Sequence, residues 1–223
     1  MHIGLIGGIG PAATEFYYRG LIDRHAKAGT KLDVTIAHAD VREMGANLAN
    51  GAAQAQAEVF AGLLRRLAAA GAELAAVTSM GGHFCIRELL AISPLPLLNA
   101  VPAVDAAIHD RGLQAIGIIG TRTVMESGLY GGITSAKVMR PEGQELDRVH
   151  TAYITMAGVG RVSDEQRQVF FAAGRRLRER GAEVIVLGGT DLFLAFADQE
   201  PGFPILDCAD VHVEALFQRS IQA

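Results

Sequence analysis

Cysteine is scarce in this 223-residue chain, which carries only Cys85 and Cys208. That excludes a disulfide framework and a cysteine-rich metal site, so no metal is expected. An excess of one charge is also missing. Twenty Lys and Arg against 24 Asp and Glu leave a net charge of −4, with none of the basic footprint that nucleic acid requires. The one dense run, Arg175-Arg176-Leu177-Arg178-Glu179-Arg180, reads as the solvated face of a helix. No apolar stretch reaches the roughly 18 residues of a membrane helix. The opening Met1-His2-Ile3-Gly4-Leu5-Ile6-Gly7 reads as a first strand and lacks the basic start of a leader. Low-complexity segments and long linkers are absent as well. A cytoplasmic protein without nucleic-acid or membrane partners is expected.

Half of the residues are hydrophobic and a fifth are charged, a globular composition. Short β-rich runs alternate with Ala/Leu/Arg-rich runs, which predicts an α/β fold with parallel sheets and crossover helices. Strands are expected at Ile3–Ile6, Val34–His38, Leu74–Thr78, Leu97–Leu98, Ala115–Ile119, Val184–Leu187 and Ile205–Leu206. Helices are expected at Ala12–Ala26, Ala52–Ala70, His83–Ile92, Val101–Arg111, Asp164–Arg180 and Val211–Ser220. Ser163, followed by Asp164 and Glu165, is a helix start with an N-cap and an acidic first turn. Gly71 and Gly181 each end a helix.

Those two glycines open an internal repeat. Gly71-Ala72-Glu73-Leu74 matches Gly181-Ala182-Glu183-Val184. Gly4-Leu5-Ile6-Gly7 likewise matches Gly117-Ile118-Ile119-Gly120, and Pro96-Leu97-Leu98-Asn99 resembles Pro204-Ile205-Leu206-Asp207. The order is the same and the offset nearly constant. The chain therefore reads as two pseudo-symmetric α/β half-domains, 1–112 and 113–223, with terminal segments able to contribute to the other half's sheet. Ligands of open α/β sheets bind beyond the carboxyl ends of the strands, so a cleft between the halves is the expected site.

Four turns at strand ends carry the candidate chemistry. Gly8-Ile9-Gly10, before Pro11, offers N–H groups and a helix N-terminus to a carboxylate or phosphate, or is simply a tight turn. It also fits a dinucleotide fingerprint, but Asp33, the acidic residue at the usual spacing, starts the second strand instead of ending it. Ser79-Met80-Gly81-Gly82-His83 places an imidazole at a helix mouth, as acid/base or as a structural histidine. Ser79 has no activating base in the sequence around it. Gly189-Thr190-Asp191 is the counterpart in the second half, where Thr190 and Asp191 either bind substrate or cap the next helix. Gly120-Thr121-Arg122-Thr123 offers two hydroxyls and a guanidinium to a carboxylate, unless Arg122 points into solvent. Arg42 is a further candidate clamp. Cys85 and Cys208 read as inert core residues.

The stretch Ile3-Gly4-Leu5-Ile6-Gly7-Gly8-Ile9-Gly10-Pro11, with Thr14 and Tyr17-Tyr18, resembles the start of aspartate racemases. The turn ending in His83, Gly120-Thr121 with Met125 and Tyr130, Gly188-Gly189-Thr190-Asp191 and Leu206-Asp207 follow in the expected order. The chain is thus identified as a member of the aspartate/glutamate/hydantoin racemase superfamily over essentially its full length. The resemblance implies a cofactor-independent protein, a homodimer, and two thiols that act on opposite faces of a substrate α-carbon. Its motifs run Cys-Asn-Thr-x-His and Gly-Cys-Thr-Glu. Here Ser79 and Gly189 stand at the two cysteine positions, Met80 at the asparagine, Gly81 at the threonine and Asp191 at the glutamate. Val124 stands at a further threonine, with Thr123 beside it.

A serine hydroxyl hardly ionises at neutral pH, and glycine transfers no proton. The two-thiol mechanism is therefore excluded. The expected function is proton transfer on a small carboxylate or amino acid by a non-standard isomerase or lyase. Ser79, His83 and Asp191 are the catalytic candidates. Gly8, Ile9, Gly10, Arg42, Met80, Gly81, Thr121, Thr123, Gly189 and Thr190 are the substrate-binding candidates. The competing expectation is a catalytically silent carboxylate-binding relative.

Overall fold

The structure, a computed structural model, describes residues 1–197 and 199–222. Its elements run, in chain order, β1 (His2–Gly7), α1 (Pro11–Ala28), β2 (Asp33–His38), α2 (Val41–Ala49), α3 (Ala53–Ala69), β3 (Leu74–Val77) and α4 (Ile86–Ile92). They continue with α5 (Ala100–Asp110), β4 (Ala115–Ile119), α6 (Arg122–Ser127), β5 (Lys137–Met139), α7 (Gly143–Val159) and α8 (Asp164–Glu179). The last are β6 (Val184–Leu187), α9 (Phe193–Phe196), β7 (Ile205–Asp207) and α10 (Cys208–Ile221). Among the described residues, no helix is long and apolar enough to cross a membrane.

Two compact units emerge. The first comprises residues 1–99 and 212–223, the second residues 100–211. These boundaries differ from the expected division at residue 112, and side-chain bonds give the reason. Asp105 on α5 accepts hydrogen bonds from Thr134 and Ser135, which ties α5 to the second unit. On the final helix, His212 bonds Tyr17 and Ser220 bonds His25, so this stretch belongs to the first.

The first unit holds a parallel sheet in the order β2-β1-β3. Leu97, expected in a strand, makes only a parallel bridge to Ala75. β3 is buried at every position, as a strand covered on both faces must be. The second unit holds a parallel sheet in the order β5-β4-β6-β7. Its core joins Ile119, Ile185 and Leu187 of the sheet to Val149, Tyr153 and Met156 of α7 and Phe170 and Leu177 of α8.

Several local expectations are met in detail. Pro11 is the first residue of α1. Ser163 caps α8 in a reciprocal capping box with Gln166. The helix expected over His83–Ile92 divides instead, into a tight 3-10 turn at Gly81–Cys85 followed by α4. Helices α2 and α7 and strand β5 have no counterpart among the sequence expectations.

Candidate active site

In the first unit, neighbouring strands β1 and β3 bring two of the four turns together. Gly8 (φ 87°) and Gly10 (φ 104°) adopt left-handed conformations open to glycine at little cost. The Gly8 N–H donates to Thr14 Oγ1 at 2.9 Å, so one donor of the expected anion cradle is already engaged. Thr14 Oγ1 lies 3.3 Å from Thr78 Oγ1, and the Thr78 hydroxyl donates to the Ile6 carbonyl. Ile9 and Met80 are buried, as is Ser79. The Ser79 hydroxyl accepts the Gly82 N–H at 3.2 Å, which closes its turn.

His83 is buried, and its Nδ1 lies 2.7 Å from the Ser79 carbonyl. A carbonyl only accepts, so Nδ1 carries the proton and Nε2 is the basic nitrogen. Burial pushes the imidazole pKa down to about 4, against the pull of the Ser79 carbonyl. His83 is therefore neutral at pH 7. Its ring meets that of His212 edge to face, with centroids 5.9 Å apart. His212 bonds Tyr17 Oη at 2.8 Å through Nδ1 and the Leu98 carbonyl at 3.1 Å through Nε2. Sequence reading missed His212 because its partner Tyr17 lies 195 residues away.

Arg42, exposed at the start of α2, pairs with Asp40, the N-cap of its own helix. Its side chain is 90% exposed, so the pair is a surface one.

In the second unit, β4 and β6 likewise bring two turns together. A Cβ on Gly120 would lie 3.1 Å from the Gly188 backbone. The Thr121 hydroxyl accepts the Val124 N–H at 3.3 Å and caps α6, while the Thr123 carbonyl accepts the Ser127 hydroxyl. Arg122 pairs with Glu126 and Asp147 on the surface. Thr190 and Asp191 are buried, and neither caps a helix. Instead, Tyr153 Oη donates to Asp191 Oδ2 at 3.2 Å.

Asp207, part of the sequence resemblance but given no role in it, ends β7 beside Leu187. Burial pushes its pKa up to about 7, while the Ala209 N–H bonded to Oδ1 at 2.8 Å pulls the other way. Both thiols are suppressed. Burial, above all, raises Cys85 to about 12 and puts Cys208 well above the ordinary thiol range.

A model of the Asp/Glu/hydantoin racemase family matches residues 6–216. The chain belongs to that family. Among solved structures, the racemase-family chain is similar to a candidate Asp/Glu racemase from Yersinia pestis. Identity is 27%, all of both chains is covered, and the TM-score is 0.86. It is also similar to an aspartate racemase homologue from Pyrococcus horikoshii, with 22% identity, 99% of both chains covered and a TM-score of 0.79. A glutamate racemase from Francisella tularensis in complex with D-glutamate shares the fold at 13% identity. That match covers 99% of this chain and 81% of the other, with a TM-score of 0.66. The racemase-family fold accounts for both parallel sheets and their flanking helices.

Proposed function

We propose that this racemase-family protein moves a proton at the carbon next to a carboxyl group of a small carboxylate or amino acid, without a cofactor and without thiols. A non-standard isomerase or lyase is the corresponding reaction class. The observation that carries this reading is the fixed tautomer of His83. Its neutral, basic Nε2 belongs to a residue at the carboxyl end of β3, where α/β proteins bind ligands. The suppressed thiols support it, since neither cysteine supplies a thiolate at neutral pH.

In this reading Ser79 and Gly189 occupy the two thiol positions of the family. The pairing Ile3↔Leu74 in one sheet and Ile116↔Val184 in the other supports a repeat at offsets of 113 and 110. His83 accepts the proton, Asp191 serves the second unit, and Gly10, Thr121 and Thr123 stand at the anion-binding turns. Cytoplasmic location and a homodimer complete the proposal. Light scattering that returned the single-chain mass of 23.6 kDa would remove the dimer.

One specific feature favours a silent binder as the second reading. The Gly8 N–H and the Ser79 hydroxyl are both engaged inside the protein. Proton NMR in D₂O decides between the two, with L-aspartate, D-aspartate, L-malate and succinate as probes. Deuterium should enter beside a carboxyl group of at least one probe, and His83→Asn should slow it roughly 10²–10⁴-fold. Chiral chromatography should show no racemisation of aspartate or glutamate at an enzyme-like rate. Binding of a probe without exchange would favour the silent reading.

A further inference from the structure

Gly189 has no side chain, yet the space a side chain would fill is occupied. A Cβ on Gly189 would lie 2.2 Å from Cε2, 2.6 Å from Cζ and 2.8 Å from the hydroxyl oxygen of Tyr153. The Tyr153 ring is buried in the core of the second unit with Val149, Met156 and Leu192. With the Tyr153 ring where it stands, a side chain at position 189 would collide with it. The ring comes from α7, and its hydroxyl reaches Asp191, which is itself buried. The end of β6 thus carries a phenol bonded to a carboxylate where the side chain of residue 189 would stand.

We propose that Tyr153 and Asp191 form the proton-transfer pair of the second unit, with Asp191 exchanging the proton and Tyr153 holding it from the space that Gly189 leaves. The proposal rests on the proton-transfer reading above. Filling space needs only a phenylalanine. A hydroxyl set against a buried carboxylate adds a desolvation cost that packing does not require. In the step, an Asp191 oxygen takes a proton from the carbon beside the ligand's carboxyl group. The C–H bond breaks, its electron pair stays on that carbon and delocalises into the carboxyl, and an O–H bond forms on Asp191. Reversal returns a solvent-exchanged proton to the same face. Tyr153 is a positioning residue. Burial first, and the Asp191 charge second, hold its deprotonation well above the ordinary phenol range, so it stays a donor.

The test uses Tyr153→Phe, which keeps the ring and removes the hydroxyl. With carboxyl-¹³C aspartate in the whole protein, the Asp191 resonance is assigned by its loss in Asp191→Asn. Its titration midpoint should rise by about one pH unit or more in Tyr153→Phe, because a donor to the charged form has been lost. An unmoved midpoint would overturn the positioning role. Asp191→Asn should slow roughly 10²-fold or more the D₂O exchange that persists in a His83→Asn background. In that background, Tyr153→Phe should shift the acid limb of the exchange profile by the same amount as the midpoint. Exchange there undiminished by Asp191→Asn would refute the pair and leave the His83 reading standing. No exchange in the wild type, with a raised midpoint in Tyr153→Phe, would overturn both and leave a structural hydrogen bond.

Discussion

His83 and His212 meet edge to face in the first unit, and a main-chain carbonyl fixes the tautomer of each. His83 gives its Nδ1 proton to Ser79, and His212 gives its Nε2 proton to Leu98. With Nε2 protonated, His212 Nδ1 is an acceptor, so the Tyr17 hydroxyl is the donor to it. The pair is thus set in the neutral form by the fold. Burial lowers His83 to about 4. Burial, and then the neighbouring His83, lowers His212 to about 3.

Acid should therefore weaken the protein well above the carboxylate range. Both folded pKa values lie below the ordinary 6.5, so the unfolded chain binds more protons between 6.5 and about 4. The stability these groups confer is present above pH 6.5 and is lost as the pH falls through that window. Each contributes a slope of about 1.4 kcal/mol per pH unit. Asp207, raised to about 7, works the other way and partly offsets them. Urea unfolding at pH 7 and pH 5 should show a pH dependence shallower by about that one-histidine slope in His83→Asn. Equal slopes in the two proteins would contradict the neutral buried pair.

Tyr17→Phe isolates the hydroxyl that serves this pair. It leaves His212 Nδ1 buried without its donor, at a cost of about 1–3 kcal/mol. Thermal unfolding should show the loss. The T-shaped contact of the two rings, with centroids 5.5 Å apart, should survive because a phenylalanine ring retains it. An unchanged melting temperature would mean that the hydroxyl contributes nothing to stability.

The thiols should be silent. Cys85 and Cys208 are fully buried, and burial keeps both protonated at neutral pH. An aromatic disulfide reagent should label two thiols at once in denaturant and do so far more slowly in the native protein. Any exchange activity should survive the Cys85→Ala/Cys208→Ala double substitution. Loss of activity in that variant, with its fold intact by circular dichroism, would return a cysteine to the mechanism.

Strands β3, β4 and β6 were legible because burial on both faces of a parallel sheet writes continuous apolar runs. Ala115–Ile119 and Val184–Leu187 appear with the expected bounds. Helix α7 was not, because Val149, Thr151, Tyr153, Ile154 and Thr155 favour strands locally. Tertiary packing overrides that preference, and the spacing of the buried Leu146, Val149, Tyr153 and Met156 is the helical signal that could have shown it. Helix α2 was missed too, although Asp40, whose carboxylate accepts the N–H groups of Arg42 and Glu43, is the cap that could have shown it. The glycine turns and His83 were readable as motifs at strand ends. Tyr153 was not, since its relation to Gly189 exists only once α7 has packed on the sheet.

That relation also makes a prediction about stability whose sign depends on context. The Gly189 backbone is extended, with φ −127° and ψ 128°, so alanine fits it without strain. The Tyr153 ring, 2.2 Å from the new Cβ, opposes the change. In the wild-type background Gly189→Ala should therefore cost about 1–3 kcal/mol or more through overpacking. Tyr153→Ala alone should cost about 3–5 kcal/mol, as for other large aromatics taken from a core. With the ring removed, Gly189→Ala should instead stabilise by about 0.4–1 kcal/mol, because alanine reduces the freedom of the unfolded chain. Urea unfolding of the four proteins in the cycle reads both signs. The coupling measures the exclusion directly, since two residues sharing one volume are not additive. If Gly189→Ala cost the same with and without Tyr153, the ring would not be what keeps position 189 bare.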